Sequence, residues 1–116
     1  MIVYMIDRQG RARIARFVTD EIARQGLSAR AVGAAPGRPS LPTIKRIKAG
    51  DTDISDTMLR ALGGKLHLPA DWLIYIGTGD TRRIRDSGAS PDLIRVTLDL
   101  FDGHDATARW VDRSGM

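Results

Sequence analysis

The ten residues from Ser40 to Ala49 read SLPTIKRIKA and set Lys45, Arg46 and Lys48 around Ile44 and Ile47. Cations at that spacing, on a short helix whose inner face is two isoleucines, suit one kind of chemistry: neutralising a polyanion from a packed scaffold. The charge distribution agrees. Residues 1–50 hold ten Lys or Arg against three Asp or Glu, whereas residues 51–116 hold eight against eleven, so the first part carries +7 and the rest −3. Fifteen of the eighteen cations are arginine, whose planar fork favours bidentate contacts to phosphate or guanine. A GC-rich coding sequence would also enrich arginine, so the positions of the cations carry more weight than their number.

Other chemistries find little support. His67 and His104 are far apart and belong neither to a cysteine-containing zinc pattern nor to an HExxH helix. The run DLFDGHD gathers Asp99, Asp102, His104 and Asp105 but lacks the alternating spacing of a calcium loop, so no metal is expected. GTGD and GGKL are not followed by the GK[ST] of a phosphate loop, and no serine has a general base beside it in sequence. The expectation is a protein without catalytic residues, metal or cofactor, and not an enzyme. Cysteine is absent, which excludes disulfides and thiolate sites and suits a reducing compartment. MIVYMI is apolar over only six residues and is followed by Asp7 and Arg8, whereas a membrane span needs about 20 apolar residues. It also lacks the preceding positive region of a signal peptide, so a cytoplasmic protein with no membrane partner is expected.

A chain of 116 residues with 42% hydrophobic content can bury one core, and helices must build it. Ile14, Phe17, Val18 and Ile22 recur at three- and four-residue steps in RARIARFVTDEIARQG, an amphipathic helix stopped at Gly26. Its arginines, Arg11, Arg13 and Arg16, are assigned to the wet side that a long helix must have. Ser28 caps a short helix burying Leu27, Ala31, Val32 and Ala35, and PGRP must be a turn. Ser40 then caps the basic helix, with Pro42 tolerated in its first turn and Gly50 closing it. Ser55 caps a helix marked by Met58, Leu59, Leu62 and Leu66, and its internal Gly63 and Gly64 are read as sites of close helix packing. Pro69 opens the apolar PADWLIYI, stopped at Gly77. Residues 78–89, rich in Gly, Ser, Thr and charge, read as a linker or exposed loop. Ser90 and Pro91 begin a sixth helix, SPDLIRVTLDLF, and DATARWVDR is a candidate short terminal helix.

Two Ser-capped short helices around a tight turn, followed by Gly and a Ser-capped leucine helix, resemble the helix-turn-helix DNA-binding domain of the phage repressor and Cro family, also called the xenobiotic-response-element type. The resemblance runs from about Leu27 to Leu73, on Leu27, Ser28, Val32, Thr43, Ile44, Arg46, Ile47, Gly50, Ser55, Leu59, Leu62, Leu66, Leu68, Asp71 and Leu73. It departs in the turn, where PGRPS is one residue longer than usual, and at Ala29, where many members carry a glutamine bracing the DNA backbone. The implied fold is all-α: a five-helix lambda-repressor-like domain over 7–77, then a helical extension over 90–116. By the same resemblance Leu41, Pro42 and Arg46 meet bases, while Ser40 and Thr43 meet the backbone or a base edge. Arg46 could take guanine O6 and N7 together, and Leu41 and Pro42 offer apolar contact. Arg30 and Arg38 suit phosphate, and with Ser28, Lys45 and Lys48 they complete the DNA-facing set.

The function implied is a sequence-specific regulator of transcription, a phage- or prophage-type repressor that binds double-stranded DNA as a homodimer on a palindromic operator. Leu93, Ile94, Val96, Leu98, Leu100 and Phe101 give more apolar surface than one helical face needs, and Trp110 and Val111 add to it. Of these, Leu93, Ile94, Leu98, Phe101 and Trp110 are the expected dimer seam, unless they pack back on the first helix of their own chain. The alternative function is an antitoxin or adaptor that uses the same fold to bind a protein partner.

Overall fold

The computed structural model describes residues 6–101, and among them every regular element is a helix. Helix α1 (Arg8–Arg24) starts where the Asp7 carboxylate accepts the Gly10 N–H at 2.7 Å. It buries Ile14, Phe17, Val18 and Ile22 and gives way at Gly26, whose φ of 72° is one that glycine adopts without strain. Helix α2 (Ala29–Ala34) is capped by Ser28, which accepts the Ala31 N–H at 3.1 Å. Helix α3 (Leu41–Lys48) follows the turn. Ser40 stands at its N-cap without a side-chain capping bond, and Pro42 occupies the first turn, where no N–H is needed. Helix α4 (Asp56–Lys65) is capped by Ser55 through Met58 N–H at 3.2 Å, and helix α5 (Trp72–Thr78) forms the buried centre of the second half.

Two further helices complete the described chain. Helix α6 (Thr81–Arg85) lies inside the stretch that the sequence reads as a linker. Asp80 caps it by accepting the Arg83 N–H at 3.2 Å, and its single apolar residue, Ile84, is fully buried. Helix α7 covers 91–101, with Ser90 accepting the Leu93 N–H at 3.2 Å. The terminal helix expected around Trp110 lies outside the described residues.

The long α1 packs against both α3 and α5, α2 packs on α3, and α4 and α6 each pack on α5. One core results, joining Ile14, Val18, Ile44, Leu59, Leu62, Trp72 and Ile76, each with at most 1% of its surface exposed. Fully burying side chains of this size contributes roughly 1.5–3 kcal/mol apiece. The α1–α5 crossing is close enough to exclude a side chain, since a Cβ on Gly10 would lie 2.0 Å from the Gly77 carbonyl oxygen. By contrast a Cβ on Gly63 or Gly64 would meet no atom within 4 Å, so close packing does not explain those two glycines.

Two arginines of α1 are half-buried and bound to the fold rather than turned to a wet side. Arg11 donates from Nη1 to the Ile54 carbonyl at 2.9 Å, and Arg13 donates from Nε to the Ile76 carbonyl at 3.1 Å. Arg13 thereby sets a cation at the C-terminal end of α5, with its guanidinium 4.6 Å from the centre of the Phe101 ring. Burial pushes its pKa below the ordinary arginine value, against the opposing pull of Asp7. Arg16, in contrast, is exposed.

Leu93, Ile94, Leu98 and Phe101, the row expected at a dimer seam, are half-buried against the chain's own core, and Leu100 is 7% exposed. Trp110 lies outside the described residues. Thr97 on the same face is fully buried and accepts the Trp72 indole N–H at 3.1 Å, tying α7 to α5. The outward positions of α7 are Asp92, Arg95 and Asp99, all exposed.

Candidate nucleic-acid interface

Helical periodicity places Ile44 and Ile47 on one side of α3, and both are buried, with 0% and 2% of their surface exposed. The opposite side carries Pro42, Lys45, Arg46 and Ala49, all exposed, while Leu41, Thr43 and Lys48 sit at the flanks and are half-buried. A rigid, apolar-backed helix thus holds two cations and a proline outward. Lys45 has no ion-pair partner among the described residues.

The turn before α3 is held from behind. Gly33 lets α2 lie directly against the start of α3, since a Cβ there would sit 2.8 Å from the Leu41 nitrogen. Leu41 is therefore partly engaged with α2 and presents less of itself outward than Pro42 does. Lys65, at the end of α4, donates from Nζ to the carbonyls of Val32 and Pro39, both at 2.9 Å, with Gly33 O at 3.4 Å. A cation on the last carbonyls of α2 adds a charged donor at the negative end of the short helix, where among the described residues the Val32 carbonyl otherwise accepts only the Ala35 N–H at 3.3 Å. It also joins both ends of the segment containing the extra turn residue. No motif or periodicity in the sequence marks Lys65 for this role.

The other expected DNA-facing residues are arranged around this unit. Ser28 and Arg30 lie at the start of α2, Arg38 lies in the turn and Ser40 at the N-cap of α3, and all four are exposed. Ser28 uses its oxygen as a cap, which leaves its hydroxyl hydrogen free to be donated.

Arg46 is already engaged. Its Nε donates to Asp51 Oδ2 at 2.7 Å, and Asp51 Oδ1 accepts the Asp53 N–H at 2.8 Å. That hydrogen bond to Asp51 raises the Arg46 pKa above its usual value, and the same bond, aided by the Asp53 N–H, lowers that of Asp51. No helical periodicity marks Asp51, which follows the end of α3. The signal for it was an acid directly after the Gly50 that ends a basic helix, five residues from an arginine.

Among the described residues no cluster of His, Asp or Glu could hold a metal ion, and no helix is long and apolar enough to cross a membrane. Comparison with known protein families, with curated proteins and with solved structures found no match to this chain.

Proposed function

We propose that the chain is a sequence-specific double-stranded DNA-binding regulator built on a lambda-repressor-like helix-turn-helix unit, with α2 as the supporting helix and α3 as the reading helix. The observation that carries this reading is the two-sided character of α3: isoleucines buried behind it, Pro42, Lys45 and Arg46 exposed in front. A helix of that build, backed against α2 at Gly33, fits a major groove, where one face must be packed and the other must reach bases and phosphates. A single α3 spans few base pairs, so the proposed functional unit is a homodimer on a palindromic operator, with repression by occupancy of the site. The work is done where DNA lies, in the cytoplasm, without catalysis or a cofactor.

Arg46→Ala tests the placement of α3. Selection of duplexes from a random-sequence pool should give a motif with the wild-type protein, and the variant should lose preference at one base pair, about 1–3 kcal/mol of discrimination, with an unchanged melting temperature. An Arg46→Ala protein with the same motif and affinity would remove α3 from the reading role. Failure of the wild-type protein to select any duplex would favour a protein partner instead.

A further inference from the structure

The tie between Arg46 and Asp51 is built more firmly than a chance surface pair. Gly50, at φ 79°, turns the chain back at the end of α3, so that the Asp51 N–H donates to the Arg46 carbonyl at 3.1 Å. Asp51 thus holds the backbone of the residue whose side chain it also binds, and the Asp53 N–H fixes the second oxygen of its carboxylate. Both side chains remain accessible, Arg46 at 50% and Asp51 at 30%. Exposed ion pairs contribute little to stability, so the arrangement is poorly explained as a fold-holding device.

Resting on the DNA-binding reading above, we propose that Asp51 is a positioning residue that sets the base specificity of Arg46. With Nε occupied from behind, Arg46 keeps the N–H groups of both Nη atoms, and this end of the fork can match guanine O6 and N7. The carboxylate also offsets the arginine's charge, which weakens its attraction to phosphates at large while leaving its directional hydrogen bonds intact. Asp51 therefore trades non-specific affinity for discrimination at one base pair.

The test uses the full chain and a random-sequence duplex pool, comparing wild type, Asp51→Asn, Asp51→Ala and the Arg46→Ala/Asp51→Asn double variant. Both Asp51 variants should melt like wild type and bind unselected duplex more tightly. Their log affinity should fall with log salt more steeply by about one unit, because a phosphate-seeking cation has been released. They should also relax preference at the base pair that Arg46→Ala relaxes, by about five-fold or more. The double variant should relax it no further than Arg46→Ala alone, since the two residues act through one contact. An Asp51 variant that keeps the full preference while its salt slope steepens would reduce Asp51 to a bulk charge and overturn the proposal. Early melting of both variants would overturn it in favour of a structural role. If wild type selects no duplex, the DNA-binding reading fails and this proposal falls with it; a wild-type motif that survives in the Asp51 variants overturns this proposal alone.

Discussion

Alanine at Gly10 should destabilise the protein by about 3 kcal/mol or more. Its Cβ would sit 2.0 Å from the Gly77 carbonyl oxygen and 2.9 Å from the carbonyl carbon, with Ile6 at 3.1 Å, so two backbones must separate to admit it. Forcing extra volume into a packed crossing costs about 1–3 kcal/mol, and more where the obstacle is backbone. A loss of about 3 kcal/mol or more consumes much of a typical stability of about 5–15 kcal/mol. The separation would also disturb α5, where Arg13 binds the Ile76 carbonyl. Chemical denaturation followed by circular dichroism reads the effect, with Gly64→Ala as the control. That glycine has open space around it, so alanine there should stabilise α4 by about 0.5–1 kcal/mol. A Gly10→Ala protein with the wild-type midpoint would refute the close α1–α5 crossing.

Deletion of residues 90–116 should go further and abolish the fold. The deletion removes Thr97, the hydrogen-bond partner of a Trp72 that is 1% exposed, together with the buried Leu100 and the half-buried Leu93, Ile94, Leu98 and Phe101. The apolar cover lost is worth on the order of 5 kcal/mol, and the Trp72 indole N–H is left without its protein acceptor. The fragment should aggregate or lose its near-ultraviolet dichroism. A well-folded monomeric fragment from a dimeric parent would instead make this row the dimer seam.

Much of the helical layout is local and could be read as such. Asp and Ser caps, glycine stops and the three- and four-residue spacing of large apolar residues are properties of single segments, so α1 to α5 and α7 emerge from sequence, and Ile44 and Ile47 are correctly turned inward. Gly77, however, lies inside α5, whose C-cap is Gly79, and Leu27 and Ala31 are exposed rather than buried. Helix α6 escapes because one isoleucine among arginines and aspartates has no periodicity, and its burial depends on α5 being there to receive it. Arg11 and Arg13 mislead for the same reason: the carbonyls they bind belong to residues more than forty positions away. In the candidate site the cations of α3 were legible from composition and spacing. Lys65 and Asp51 were not, since what each does depends on a tertiary neighbour or a chain reversal rather than on its own helical face.

The central claim is that α3 and its flanks meet the backbone and bases of duplex DNA, and salt dependence addresses it most directly. Wild-type protein should bind a random-sequence duplex with log affinity falling linearly against log salt. Arg30, Arg38, Lys45 and Lys48 should each account for about 0.9 of the slope, so their joint replacement by alanine should flatten it by about 3–4 units while the fold persists. A wild-type slope near zero, or one unchanged in the quadruple variant, would contradict the account.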